Sequence, residues 1–295
     1  KEHPQLFATY ISNFSCGPDS MILTTFRTIM GTKPSLTLEL DSHTADAGIN
    51  TRIDAAVDII KNYLHLKNTI SDPDFSDFSA ADILSQGGKN YFITSDGERV
   101  EMNDKRVQIL IPSMGDLGAE MFSAALRSLG FNAEALPVST SDTLKFGRSN
   151  ASGKECLPLL LLAGALLEYI EKKWDGKSYI AFFIVQGAGN CRLGQYPVFI
   201  RNVIKQKRLK NVAQMVLMNE DGFAGFGSDF AMRGIQAIIA SDVLDDVRSA
   251  ILANSINPNS GIELFNNEIK NLIDKFVINP EKFYKHLEEF SNNIK

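Results

Sequence analysis

The sequence lacks the features that mark nucleic-acid-binding and membrane proteins. It carries 30 Lys and Arg against 35 Asp and Glu, a net charge of −5, and this lack of a basic excess argues against nucleic acid as a partner. Its longest apolar run, residues 157–167, is about half of the roughly 20 residues that a membrane-spanning helix needs. We therefore expect neither a nucleic-acid nor a membrane partner.

Cysteine is scarce, with only three in 295 residues. An odd, sparse set does not build a disulfide framework. The separations between Cys16, Cys156 and Cys191 contain no Cys-x-x-Cys pair, which excludes a zinc ribbon and a ferredoxin-type run. For three arbitrary cysteines, the simplest interpretation is that they are small buried hydrophobes.

The amino terminus carries no signal-peptide pattern. The chain opens with Lys-Glu-His-Pro instead of Met, which suggests a fragment or a processed product. We expect a cytoplasmic protein.

Strand and helix patterns alternate along the chain. Hydrophobic residues make up 44% and charged residues 22%, the balance of an ordinary globular protein. Apolar and turn patterns predict strands at 10–13, 36–40, 107–111, 133–138, 179–185 and 213–218. They predict helices at 20–30, 49–64, 119–129, 156–174, 193–205 and 230–252, and two more within 263–295, separated near Asn279-Pro280.

This alternation predicts an α/β fold made of two Rossmann- or flavodoxin-like units with mainly parallel sheets and a helical C-terminal tail. We expect the first unit at 1–104, the second at 105–262 and the tail at 263–295. Residues 67–88 have the composition of a surface excursion, and Asp96-Gly97 predicts a hairpin.

The cysteines share a setting despite their distance in sequence. Cys16 and Cys191 each follow a predicted strand and precede a helix, and Cys156 opens a long helix. Parallel sheets bind ligands at the C-terminal ends of their strands, where helix N-termini also point. Because a helix N-terminus lowers the pKa of a thiol, this setting suits thiolate ligands of a soft metal or a cluster.

Four motifs around these cysteines resemble a known family, the 2-hydroxyacyl-CoA dehydratase components, and most closely the C-terminal part of the large CoA-substrate-specific enzyme activases. The matching segments are NFSCGPDS at 13–20, LELDSHTADAG at 38–48, SGKECLP at 152–158 and CRLGQY at 191–196. They occur in the family's order. Asn190 and Leu193 depart from the pattern, in which we expect a proline and an aromatic residue.

The resemblance implies an iron–sulfur protein. Cys16, Cys156 and Cys191 would hold a 4Fe–4S or double-cubane cluster with one iron open, and an ATP-hydrolysing activator would supply low-potential electrons. It further implies a homodimer and a CoA ester as possible ligand. No ATPase region is recognisable in this chain. Residues 147–155 mimic a P-loop, but they have one residue too many between the glycines and Glu155 in place of Ser or Thr.

Arg192, Lys154 and Gln195 are the candidate cofactor-binding residues. Arg192 and Lys154 would offset cluster charge or hold a CoA phosphate, and the alternative is a surface ion pair. Gln195 and Tyr196 would donate hydrogen bonds to cluster sulfurs, although simple packing is equally compatible with Tyr196. Glu39, Asp41, His43 and Asp46 form either a shell of proton-transfer groups or a loop that caps the next helix, with Asp46 as the N-cap. The rival function is a binding or scaffold protein of the same fold, with its cysteines apo or on zinc.

Overall fold

The computed structural model describes residues 1–13, 17–72, 77–86, 88–187, 189, 191–218 and 226–294. Its architecture is the predicted one: α/β, with parallel sheets and a helical C-terminal region. Among the described residues, no helix combines the length and apolar character needed to span a membrane.

A two-stranded parallel sheet with two helices forms the first part. Its elements are β1 (Thr9–Asn13), α1 (Gly17–Met30), β2 (Leu36–Leu40) and α2 (Asp46–Leu66). Helix α1 begins earlier than the sequence pattern predicts, at Gly17. Helix α2 is 21 residues long, and although the structure describes every one of them, none is buried.

An antiparallel three-stranded sheet follows: β3 (Asp82–Gln86), β4 (Lys89–Ile93) and β5 (Arg99–Glu101). The hairpin predicted at Asp96-Gly97 is confirmed, and Gly97 has the positive φ of +87° that a tight turn requires. Strand β3 lies within the segment expected to be a surface excursion. Its sequence shows no apolar–polar alternation because Ile83 and Leu84 are adjacent, and Leu84 is exposed at this sheet edge.

A four-stranded parallel sheet with the order β7-β6-β8-β9 forms the central part of the fold. Its strands and helices are β6 (Val107–Ile111), α3 (Asp116–Ser128), β7 (Ala133–Ala135), α4 (Ser141–Arg148), α5 (Leu157–Lys172), β8 (Tyr179–Gln186), α6 (Tyr196–Gln206) and β9 (Val212–Met218). The inner strands are continuous apolar runs because both faces are covered. Phe182 packs toward α5 and α6, and Phe183 packs on the opposite face toward α3.

Prolines explain two departures from the predicted boundaries. Strand β7 ends at Ala135, short of the predicted residue 138, because Pro137 has no N–H for the ladder. The helix predicted from Leu193 is instead a 3-10 turn, Arg192–Gln195, followed by α6 from Tyr196. Pro197 fits the first turn of α6 but would clash in the interior of a helix that started at Leu193.

Three helices complete the chain: α7 (Gly227–Asn254), α8 (Pro258–Ile278) and α9 (Phe283–Asn293). The break predicted at Asn279-Pro280 is confirmed by the 3-10 turn Pro280–Lys282. Phe265 and Phe276 of α8 are fully buried against α3 and α7. Helix α8 starts before residue 263, and the division into domains stays a prediction.

Candidate metal centre

Cys156 lies where α4 and α5 are joined. It is the N-cap of α5, so it precedes the helix that the sequence predicts it to open, and the helix begins with Leu157-Pro158. The thiol is free and half-buried. Its Sγ lies 2.9 Å from the hydroxyl of Tyr196, at the start of α6. This contact joins the Cys156 loop to the N-terminal end of α6, the helix that comes after Cys191 in sequence.

Cys191 is exposed and free, and it is the N-cap of the 3-10 turn after β8. Tyr196, one helical turn further on, is buried. Burial raises the pKa of its hydroxyl, and the hydrogen bond with Cys156 and the negative charge of both thiolates raise it further. Tyr196 is therefore a neutral, buried hydroxyl close to the two cysteines.

Arg192 connects this loop to the beginning of α1. Its Nη1 donates to the hydroxyl of Ser20 at 3.3 Å. A Cβ added to Gly17 would lie 3.4 Å from its Nε, so the guanidinium packs directly on the first residue of α1. The prediction that Cys16 is a ligand falls outside the described residues, but Gly17, which follows it in sequence, lies beside the residue that follows Cys191.

The segment before Cys156 encloses the carboxylate of Glu155. Backbone N–H groups of Ser152, Gly153 and Lys154 donate to it at 3.0–3.1 Å, and the hydroxyl of Thr24 in α1 donates at 2.7 Å. Burial alone would raise the pKa of Glu155, but these hydrogen bonds outweigh burial and lower it. The P-loop mimic therefore binds its own carboxylate, and its N–H groups are not available to a phosphate.

Lys154 forms an ion pair with Glu39, at the end of β2, with an Nζ–Oε1 distance of 2.7 Å. This part-buried ion pair joins the Cys156 loop to the first sheet. Gln195 is exposed at the end of the 3-10 turn.

The acidic loop after β2 closes on itself. Asp41 accepts from the backbone N–H of His43 and the hydroxyl of Thr44. The N-cap of α2 is Ala45, so the expectation that Asp46 caps this helix is wrong, and Asp46 occupies the first turn instead. A carboxylate in the first turn still favours the helix through its dipole.

An open apolar pocket of about 540 Å³ is lined in part by residues close in sequence to the two cysteines. It is at the C-terminal edge of β6, β7 and β8, where parallel sheets bind ligands. The residues lining it include Pro112, Val138, Leu157, Phe183, Leu193 and Tyr196. Leu157 follows Cys156 in sequence, so a molecule in this pocket would lie close to that cysteine.

Sequence reasoning did not find the roles of Glu155, Thr24 and Ser20. Glu155 drew attention only as a mismatch to a P-loop, and Thr24 resembles any helical threonine. A carboxylate two residues after Gly153 was the one available signal, because glycine permits the turn that brings successive N–H groups together. Their partners are distant in sequence, and no local pattern identifies such pairs.

Within the described part of the chain, which leaves out Cys16, no three His, Cys, Asp or Glu side chains form a group that could hold a metal ion. In comparisons with known proteins, no family model, curated protein or solved structure matches the chain. The functional assignment consequently depends on the site and on the motif resemblance.

Proposed function

We propose that this protein is an iron–sulfur redox module related to the 2-hydroxyacyl-CoA dehydratases and their large activase-like proteins. Cys16, Cys156 and Cys191 would be the thiolate ligands of a 4Fe–4S or double-cubane cluster. Bound, such a cluster supplies one-electron transfer at low potential. An external ATPase would deliver the electrons, in a cytoplasmic homodimer, and a CoA ester is the candidate ligand.

The observation that carries the proposal is the arrangement around Tyr196. Its buried hydroxyl contacts the Cys156 thiol, and Tyr196 begins α6 directly after the 3-10 turn that Cys191 precedes. Both cysteines are free thiols, Cys156 at the N-cap of α5 and Cys191 at the N-cap of the 3-10 turn that precedes α6. This donor set fits an iron–sulfur cluster with one further thiolate.

Residues around the thiols have roles that the geometry supports. The Tyr196 hydroxyl is placed to donate to the sulfur of Cys156. Arg192 lies between the Cys191 loop and the start of α1, where its positive charge would offset a negative cluster. The apolar pocket lined by Leu157 would receive the apolar part of a ligand bound beside Cys156.

The second candidate is a scaffold of the same fold that holds zinc. Three thiolates plus a water molecule also satisfy tetrahedral zinc. Cys191 is exposed. This exposure favours zinc, because zinc requires less protection from solvent than an oxygen-sensitive cluster.

Metal and acid-labile sulfide analysis of the anaerobically purified full chain decides between the two candidates. We expect iron and sulfide in a ratio near one, a broad visible absorption, and loss of both in Cys191→Ser. Zinc without sulfide would support the scaffold, and a chain that holds neither after reconstitution with iron and sulfide would contradict the proposal. Exposed Ser85, replaced by Ala, provides a control outside the site.

A further inference from the structure

Glu155 is a buried carboxylate with an unusual set of partners. Only 8% of the residue is exposed, and burying a charge is costly unless hydrogen bonds compensate for it. Both carboxylate oxygens accept from the Ser152 N–H, and the Ser152 hydroxyl donates to Oε1 at 2.9 Å. With the N–H groups of Gly153 and Lys154, the three residues before Glu155 wrap around its own side chain.

This local wrapping determines the conformation of the residue that follows. Three successive N–H groups can point at one carboxylate only if the backbone from Ser152 to Lys154 is turned inward, and Gly153 has a φ of +87° there. Cys156 comes immediately after Glu155 and is already the N-cap of α5. The position of Cys156 is therefore fixed on its N-terminal side by the hydrogen-bonded carboxylate of Glu155 and on its C-terminal side by helix α5.

One donor comes from far away in the chain. The Thr24 hydroxyl, 131 residues distant in sequence, donates to Oε1 of Glu155 at 2.7 Å and lies 3.2 Å from the Ser152 hydroxyl. Thr24 belongs to α1, which begins one residue after Cys16. The same carboxylate thus orders the Cys156 loop and binds it to the helix that follows Cys16.

We propose that Glu155 is the positioning residue of the cysteine site, which holds Cys156 at a fixed place relative to α1 through Thr24. The inference depends on the proposed use of the three cysteines as joint metal ligands. It does not depend on the identity of the metal, since any soft ion bound by all three thiolates requires the same alignment.

The test measures Cd²⁺ affinity of the metal-free, reduced full chain from the thiolate-to-cadmium absorption, with no cluster and no activity required. Loss of an outer partner of a metal ligand commonly weakens metal binding by about 10- to 100-fold. We expect Glu155→Gln and Thr24→Val each to weaken Cd²⁺ binding by at least about tenfold. Thr24→Ser should restore it, because serine retains the hydroxyl.

Two matched controls separate positioning from a general loss of stability. Glu168 accepts from the Thr143 hydroxyl at 2.6 Å in the α4–α5 pair and also pairs with Lys172, so Glu168→Gln removes a carboxylate charge from a similar bond that does not reach α1. Thr28 donates to the Thr24 carbonyl within α1, so Thr28→Val is the control for Thr24→Val. Both should bind Cd²⁺ like the unmodified chain. If Glu155→Gln fails to fold by circular dichroism, Thr24→Val decides.

Unchanged Cd²⁺ affinity in folded Glu155→Gln or Thr24→Val overturns the inference, even if the unmodified chain holds an iron–sulfur cluster. Conversely, weakened Cd²⁺ binding in these variants with intact controls supports it, even if the unmodified chain never takes up iron and sulfide and the proposed function fails. A chain that binds no Cd²⁺ overturns both, because there is then no joint cysteine site to position.

Discussion

At the scale of single residues, the Tyr196 hydroxyl contacts a candidate ligand, with 2.9 Å between its oxygen and the Cys156 sulfur. A metal-bound thiolate carries no proton, so in a loaded site Tyr196 must be the donor. A hydrogen bond to a cluster sulfur stabilises the reduced, more negative state and raises the reduction potential. Tyr196 would thereby tune the potential without being a ligand.

We expect Tyr196→Phe to retain its iron but to lower the reduction potential by on the order of 60 mV, about 1.4 kcal/mol for one electron. Protein-film voltammetry measures the change. Tyr169→Phe is the matched control, since Tyr169 is also buried but donates to Gln108, 2.9 Å away. A potential that is the same in Tyr196→Phe and Tyr169→Phe would show that the hydroxyl does not act on the cluster.

The Glu155 carboxylate should also make the unfolding free energy depend on pH. Its pKa is lowered in the folded chain, because hydrogen bonds from Thr24 and Ser152 outweigh the effect of burial. A depressed pKa means that its stabilising contribution is present above the unfolded value of about 4.3 and is lost as pH falls through the folded value. The unfolding free energy should therefore decrease in that acidic range.

Glu155→Gln should remove this part of the acid dependence and cost about 1–3 kcal/mol near neutral pH, the penalty for buried donors left without a charged acceptor. Urea unfolding between pH 3 and pH 7, a range of about 4 units around the reference Glu pKa, measures both effects. If the variant and the unmodified chain lose stability in parallel across this range, the Glu155 carboxylate is not the source of the acid dependence.

At the scale of elements, α4 and α5 form the hairpin that presents Cys156, and their backbones pack unusually close. A Cβ added to Gly147 would lie 1.9 Å from the carbonyl oxygen of Leu160, and one added to Gly164 would lie 2.0 Å from that of Thr143. No side chain fits at either place without separating the helices. The two glycines therefore set the helix spacing at the base of the Cys156 loop.

We expect Gly164→Ala to destabilise the fold by about 3 kcal/mol, the upper part of the range for overpacking, because backbone atoms would have to move. Gly48→Ala is the control, since Gly48 lies within α2 and a Cβ there meets nothing within 4 Å. Alanine should be favoured at that helical site by up to about 1 kcal/mol. Chemical unfolding should thus give changes of opposite sign, and the same sign at both sites would contradict the packing argument.

At the scale of the whole molecule, contacts between the first part of the fold (β1, α1, β2 and α2) and the rest of the chain include three around the cysteine loops. They are Lys154 with Glu39, Thr24 with Glu155, and Arg192 with Ser20. Met21 of α1 reaches the central hydrophobic core, but α2, the longest helix of the first part, has no buried residue. Few buried contacts mean low local stability, so a ligand shared across these contacts should stabilise the first part most.

Hydrogen exchange followed by mass spectrometry tests this. At a Cd²⁺ concentration about 100 times its dissociation constant, binding contributes about 2.7 kcal/mol, and we expect opening of α1 to slow by up to about 100-fold. Exchange in α8, which packs against α3 and α7, should change little. Cys191→Ser should show no Cd²⁺ effect in α1, and equal slowing of α1 and α8 would argue against a shared site.

Much of this protein follows from the sequence alone. Patterns over a few residues determine the α/β class, the apolar core strands and the break at Asn279-Pro280, because these depend on neighbours within a turn or two. The same applies to the setting of Cys156, which comes directly before a long helix, and of Cys191, which comes directly before a 3-10 turn. Pro158 marks the start of α5 and Pro197 marks the start of α6, although the apolar pattern alone predicts α6 from Leu193.

Tertiary structure alone decided which distant residues meet. The bond between Thr24 and Glu155, the packing of Arg192 on Gly17, and the contact of Tyr196 with Cys156 connect residues that share no local pattern. Helix α2 shows the reverse, since its amphipathic sequence predicts a buried face that the fold does not cover. A local pattern indicates that a segment has an apolar face that burial would stabilise. Which distant segment buries that face is decided only when the chain closes a long loop and brings the two segments together.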